Sequence, residues 1–195
     1  TTEIYTLSLH DALPISLHEI LLADINAPLV MTSGNPTDEP IESVNDSAMN
    51  YLGDIADYFL MHDRDIYTST DDSIVKIAQG REMMLRKSRG YVPSGIKIER
   101  KSCGDILAVG SDLKNTISLI KGDTAYTSQH IGDIKNLKTY NMMLKVASQL
   151  KAIVACDPQV VVRDMHPSMM TTDYARQMNK KTIAVQHHQI GRAHV

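Results

Sequence analysis

Cysteine is scarce in this 195-residue chain: Cys103 and Cys156 are the only two. Two thiols cannot build a disulfide framework or a four-cysteine zinc site, so a reducing, cytoplasmic setting is the default. Neither has a basic or histidine neighbour in sequence, which points to inert thiols. No apolar run approaches the roughly 20 residues that a bilayer crossing needs, which excludes a membrane span. Internal repeats and low-complexity tracts are lacking too. Neither sign of charge dominates: 20 Lys+Arg face 23 Asp+Glu, a formal net charge of −3. That small acidic excess argues against a nucleic-acid-coating surface. With 43% hydrophobic and 22% charged residues, the chain is composed like a globular protein and unlike a disordered tail. One large domain or two small ones fit the length.

The two ends stand apart. Residues 1–16 read TTEIYTLSLHDALPIS and residues 190–195 read IGRAHV. Both resemble translated short-read sequencing adapters and are expected to be scars outside the fold, a native N-terminal arm being the alternative. Setting aside Glu3, Asp11 and Arg192 moves the charge only from −3 to −2. The rest is then expected to be an internal piece of a longer gene.

Apolar spacing predicts a helix over 17–24, stopped by Pro28, and a short buried strand over 29–32 running into the turn cluster Ser33-Gly34-Asn35-Pro36. A helix near 43–52, a strand over 55–61 and a hairpin of 73–78 with 82–86 follow. Residues 89–101 read as a linker. Three close strands at 105–109, 116–120 and 124–127 predict a meander, with Gly110 and Gly122 at its turns. The best amphipathic helix is 137–153, with Tyr140, Leu144, Ala147 and Leu150 along one face. A strand at 160–162, a helix at 168–179 and a strand at 182–185 complete an α/β pattern in both halves.

Four clusters could carry chemistry. Thr32, Ser33 and Asn35 offer hydroxyls and an amide at a strand end, suited to phosphate or carbamoyl oxygens; an Asx-type turn has the same composition. Asp71-Asp72-Ser73 faces Arg86 across the hairpin, and a hydroxyl with a guanidinium suits a nucleotide phosphate. A capped strand with a surface ion pair is the alternative. Residues 109–116, VGSDLKNT, form a glycine-bearing hairpin whose N–H groups could grip phosphate, with Lys114 and Asn115 at hand, or simply turn the chain. His187 and His188 follow a strand and could supply a metal ligand or pack on a surface. SQHIGD at 128–133 and DMHP at 164–167 are polar clusters at strand ends, which can line a site or cap a helix.

The order of these motifs is specific. PLVMTSGN at 28–35, EPI at 39–41, IADYFLMHDRDI at 55–66, DDSIVK at 71–76 and LRKSRGYVP at 85–93 are followed by LAVGSDLKNT at 107–116, SQHIGD, DMHP and VQHH at 185–188. The series resembles the HypF family, carbamoyltransferases that mature nickel–iron hydrogenases, over essentially all of residues 17–188. The resemblance implies an α/β protein with mixed sheets: the C-terminal part of a YrdC-like carbamoyl-adenylation domain at 17–100, then the first part of an actin-like carbamoyl-transfer domain at 101–189. It implies ATP with magnesium and carbamoyl phosphate as ligands, carbamoyl-AMP as the intermediate, and the C-terminal cysteine of a HypE-type protein as acceptor. Thr32, Ser33, Asn35, Ser73 and Arg86 fall at nucleotide-pocket positions, Lys114 and Asn115 in the phosphate hairpin, and His187 on the first histidine of a metal-binding run.

The resemblance also implies zinc or iron in the complete transfer domain. In this chain Gln189 and Gly191 stand at later positions of that run, against metal binding here. Tyr67-Thr68-Ser69-Thr70 also replaces an arginine that the family often has before DDS. The family's acylphosphatase domain and zinc-finger cysteines are not in the chain, so activity of this piece alone is not expected. Two further readings stay open: a threonylcarbamoyl-adenylate synthase of tRNA modification, or an inactive nucleotide-binding remnant. The YrdC-like similarity also admits double-stranded RNA as a partner. Because carbamoyl-AMP hydrolyses in water, two domains joined through a short linker would have to enclose its path.

Overall fold

The computed structural model describes residues 15–37 and 39–186. Helix α1 (Ile15–Ile25) belongs to a compact unit that ends at Gly34. It stops where Asn26 turns left-handed (φ 48°) and donates its N–H to Leu22 O at 2.8 Å, a helix-end geometry that asparagine tolerates. The strand expected over 29–32 does not form. No ladder partner lies beside it among the described residues, and Val30 is 83% exposed. An apolar run of that length becomes a strand only where a neighbour satisfies its backbone groups.

The second unit begins at Asn35. Helix α2 (Asn45–Leu52) matches expectation. The strand expected over 55–61 is irregular instead, with Tyr58 and Leu60 exposed, again for want of a partner. Strands β1 (Ile74–Ala78) and β2 (Arg81–Arg86) pair antiparallel as a separate two-stranded sheet. Their turn is Gln79-Gly80, both residues at positive φ (52° and 72°), the geometry that matches strand twist in a two-residue hairpin.

A six-stranded mixed sheet forms the main body, in the order β3-β6-β5-β4-β7-β8. The expected meander is β4 (Ile106–Ala108), β5 (Ser118–Lys121) and β6 (Thr124–Thr127), all antiparallel. Strands β7 (Val160–Asp164) and β8 (Lys181–Val185) add in parallel beyond β4. The crossovers that parallel pairing requires are helices α3 (Leu137–Val154) and α4 (Met170–Gln177). The segment expected to be a pure linker holds strand β3 (Gly95–Lys97), which pairs with β6 and forms the sheet edge. That is a correction: three residues between Pro93 and the basic run carry too little pattern to reveal a strand.

The core lies between this sheet and α3. Leu107, Val109, Ile117, Leu119 and Val161 meet Met143, Val146, Ala147 and Leu150, all nearly inaccessible to water. Each such side chain contributes about 1.5–3 kcal/mol. Tyr140 and Leu144, expected on the buried face, pack at its margin. Helix α3 starts in a capping box, with Asn136 Oδ1 accepting from Thr139 N at 2.9 Å. At its other end Lys121 Nζ donates to Val154 O and Ala155 O at 3.1 and 2.6 Å, so a cation closes the last carbonyls. The expected α/β class therefore holds. No described helix is long and apolar enough to cross a membrane.

Candidate functional site

Two hairpin mouths and the loop between them contain most of the residues with chemical potential. In the first, strand pairing sets Arg86 opposite Ile74, just after Asp71-Asp72-Ser73. Arg86 Nε donates to Asp72 O at 2.9 Å and Nη1 stands 3.6 Å from Asp71 Oδ2. Ser73 Oγ donates to Arg89 O and accepts from Ser88 N, both at 2.8 Å. Ser73 and Arg86 are thus neighbours, each tied to the backbone around it. Beneath them Ser88 is fully buried, and its Oγ has no hydrogen-bond partner. Sequence reading passed over Ser88; only its place beside Arg86 could have marked it.

Asn35 is half-buried, and its Nδ2 donates to Pro36 O and Glu39 O at 3.0 and 3.1 Å. That is the turn-making alternative for its amide nitrogen, while Oδ1 is buried without a partner. Thr32 and Ser33, in the first unit, are exposed and outside regular structure.

The second mouth is the 109–116 hairpin. Gly110 has φ +70°, and a β-carbon there would lie 2.6 Å from Thr116 O, so only glycine fits. Asn115 is buried; its Nδ2 donates to Val109 O and Ser111 O at 2.9 and 2.6 Å, closing the loop from inside. Lys114 is exposed, at φ 47°, and its N–H donates to Asp133 Oδ1 at 2.8 Å. That bond, followed by the Lys135 ammonium at 3.0 Å, holds the Asp133 carboxyl below the usual carboxylate value.

The SQHIGD loop links the two. Ser128 Oγ accepts from Ile117 N at 2.9 Å, and Asn115 bridges to Gly132, which anchors the loop to the second hairpin. His130 projects into a half-buried setting, where burial first and the Arg86 guanidinium second press its pKa below 6.5. Asp71 and Asp133 oppose that shift and Lys114 adds to it. Arg86 and Lys114, one from each expected half-site, therefore act on one imidazole.

The DMHP cluster forms a turn ahead of α4 and gives that helix no side-chain cap. Asp164 Oδ1 accepts from His166 N at 2.8 Å, and Thr172 Oγ1 donates to His166 O at 2.9 Å at the start of α4. Cys156 is buried, and burial, then a bond with Asp105, pushes its thiol up to about 11, as an inert thiol requires. His187 lies outside the described residues. Among the described residues no three His, Cys, Asp or Glu side chains gather as a metal site. Two cavities of about 390 and 240 Å³ are lined by other residues than Asn35, Ser73, Arg86, Lys114 and Asn115.

Comparison with known proteins gives two family matches along the chain. Residues 101–195 match the family described as the HypF Kae1-like domain, and residues 14–88 match the Sua5/YciO/YrdC family, described as telomere recombination. The chain is 38% identical over 172 residues to carbamoyltransferase HypF of Synechocystis sp., covering 88% of this chain and 22% of that one. It is 40% identical to carbamoyltransferase HypF2 of Cupriavidus necator, covering 82% and 21%. The crystal structure of full-length HypF in its phosphate- and nucleotide-bound form superposes with a TM-score of 0.81 at 41% identity, covering 88% of this chain and 27% of that one. HypF of T. kodakarensis gives 0.75 at 34% identity, covering 82% and 21%. The chain thus spans about a fifth to a quarter of the length of the relatives it matches. On the joint match of both segments, in order, to these proteins, the chain belongs to the HypF carbamoyltransferase family.

Proposed function

We propose that the chain is the central part of a two-step carbamoyltransferase, running from a YrdC-like adenylation half at 17–100 into a Kae1-like transfer half at 101–189. The first step consumes carbamoyl phosphate and ATP. Phosphate is released by water, a carbamate oxygen attacks the α-phosphorus, and the bond to pyrophosphate breaks, giving carbamoyl-AMP. In the second step a C-terminal cysteine thiolate of a HypE-type acceptor attacks the carbamoyl carbon, and AMP leaves. The thiocarbamate serves cyanide-ligand synthesis for nickel–iron hydrogenase.

The observation that carries this reading is that a YrdC-type segment and a HypF Kae1-like segment follow one another in this chain in the order they have in proteins named carbamoyltransferase HypF. In-line displacement at phosphorus is served by fixed cations and N–H donors more than by an acid–base pair. Arg86 fits a phosphate by its forked donors, and the family resemblance adds Thr32, Ser33, Asn35 and Ser73 as nucleotide-binding residues; the exposed Lys114 ammonium suits the second site, where the Lys114 and Asn115 N–H groups are already given to Asp133 Oδ1 and Gly132 O. Magnesium would arrive with ATP. Asp71 and Asp72 stand against Arg86 and Arg89, so the described carboxylates do not form a separate metal cage. Zinc or iron would require His187 with further ligands, and no step is assigned to it.

The test is pyrophosphate exchange into ATP by the full-length enzyme carrying this segment. Exchange that depends on carbamoyl phosphate and is unaffected by L-threonine supports the reading. Exchange that requires threonine and bicarbonate instead would move the chain to the tRNA-modifying alternative.

A further inference from the structure

Where the two family segments meet, the contact is ionic and chemically specific. Lys138, in the first turn of α3, donates from Nζ to Glu39 Oε2 at 2.8 Å and also to Glu42 Oε1. The same ammonium lies 4.0 Å from the ring centroid of Tyr51, on α2. The Glu42 side chain is only 5% exposed and accepts a further bond from Ser47 Oγ at 2.5 Å. Three turns along α3, Gln149 Nε2 donates to Tyr67 O at 2.7 Å. Between these anchors Met142 and Val146 face Ile41 and Val44 across a cavity of about 240 Å³.

An apolar seam with a cavity in it can slide; a buried carboxylate cannot. Glu42 is tolerated at that depth only while a cation stands against it, since an unpaired buried charge costs several kcal/mol. One ammonium serves two carboxylates and an aromatic face, so its removal would leave Glu39 and Glu42 repelling each other. Burial works to lower the Lys138 pKa, and the bonds to both glutamates outweigh it, so the lysine stays charged at neutral pH. The clasp therefore has one register.

We propose that Lys138 is a positioning residue for the transfer step: its grip on Glu39 and Glu42 fixes segment 39–52 against α3 and so aligns the adenylating half with the accepting half. This rests on the two-step reading above. Lys138 touches none of the residues assigned to either pocket.

Two measurements test it. In the 195-residue chain, Lys138→Met should speed amide hydrogen exchange in 39–52 and around Tyr67 and leave strands β4–β6 protected. Lys138→Arg, and the exchange Lys138→Glu with Glu42→Lys, should restore protection. In the full-length enzyme carrying this segment, Lys138→Met should keep pyrophosphate exchange and lose transfer to the acceptor thiol, by up to about 100-fold for a small misalignment. Unchanged hydrogen exchange in 39–52, loss of protection throughout the sheet, or equal loss of both half-reactions would overturn the proposal. A parent enzyme without pyrophosphate exchange would instead sink the two-step reading, with hydrogen exchange still deciding the clasp.

Discussion

Asp112 and Thr171 are joined twice: Asp112 Oδ1 accepts from the Thr171 N–H at 3.1 Å and from its hydroxyl at 3.0 Å. Oδ2 takes the Met170 N–H at 2.9 Å. Helix α4 has Met169 at its N-cap position, which offers no side-chain acceptor, so the cap comes from the phosphate-type hairpin. The loop's acidic residue thereby holds the helix against the loop.

Asp112→Ala should therefore destabilise the chain by about 1–2 kcal/mol, since several N-terminal donors of α4 lose their acceptor. Asp112→Asn retains one carbonyl acceptor and should lose less. Urea unfolding followed by circular dichroism measures both. Equal stability of Asp112→Ala and the parent would mean that solvent caps α4 as well as the carboxylate does.

The hairpin itself should resist substitution at Gly110. A β-carbon there lies 2.6 Å from a backbone oxygen and 2.9 Å from Asn115 Nδ2, at a φ that L residues avoid. Gly110→Ala is expected to cost more than about 1 kcal/mol, because strain and contact add. Gly80→Ala, at a similar φ with open space around it, is the control and should cost less. Comparable losses at the two positions would remove the packing part of the argument.

Nucleotide binding can be tested on the same chain. Arg86→Ala and Ser33→Ala should each weaken ATP binding, Arg86→Ala by roughly tenfold, as loss of one charge-assisted contact implies. Ser73→Ala should act differently: it strips Ser88 N and Arg89 O of their partner and lowers stability, by about 1–3 kcal/mol. Calorimetric titration paired with thermal melting separates the two effects. If neither Arg86→Ala nor Ser33→Ala changes ATP affinity, the pocket assignment is wrong.

What the sequence made legible, and what it hid, follows from range. Strands β4 to β6 were readable because Leu107 and Leu119 alternate with partly exposed neighbours and Gly110 and Gly122 mark the turns that separate the three strands. Helix α3 was readable from its period. Residues 29–32 misled, because an apolar run reads alike with or without a partner strand. Strand β3 was hidden in three residues. The site was harder: Asn115 reads as an exposed donor, yet it serves Val109 and Ser111 from inside the loop. Asp112 finds its partners 58 and 59 residues on, and the Lys138 clasp joins residues 96 and 99 apart, so no local pattern announces either.

His130 gives a pH signature. Burial, with Arg86 next and Lys114 behind it, lowers its folded pKa below 6.5, and Asp71 and Asp133 only partly offset this. The unfolded chain then binds the proton more readily. Stability from this group is complete above about 6.5, falls as pH drops below that value, and levels off once folded His130 is itself protonated. Proton NMR of the imidazole should show a midpoint under 6.5, and Arg86→Ala should raise it. His130→Gln should flatten the stability profile over that interval. A midpoint at or above 6.5 would show that the carboxylates dominate the site.

The β1–β2 hairpin should make the chain associate. Val75, Ile77 and Met84 share one face and Met83 and Leu85 the other, and Ile77, Met83 and Leu85 are 68%, 50% and 60% exposed. A two-stranded sheet with apolar residues exposed on both faces is marginal alone and offers both an edge and a patch to other copies. Sedimentation velocity should show mass rising with concentration. Ile77→Lys with Leu85→Glu should reduce that association, because one charge falls on each face and neither position lies in the core. A monomer at all concentrations, unchanged by the double substitution, would mean that the hairpin's charged residues already suffice to keep copies apart.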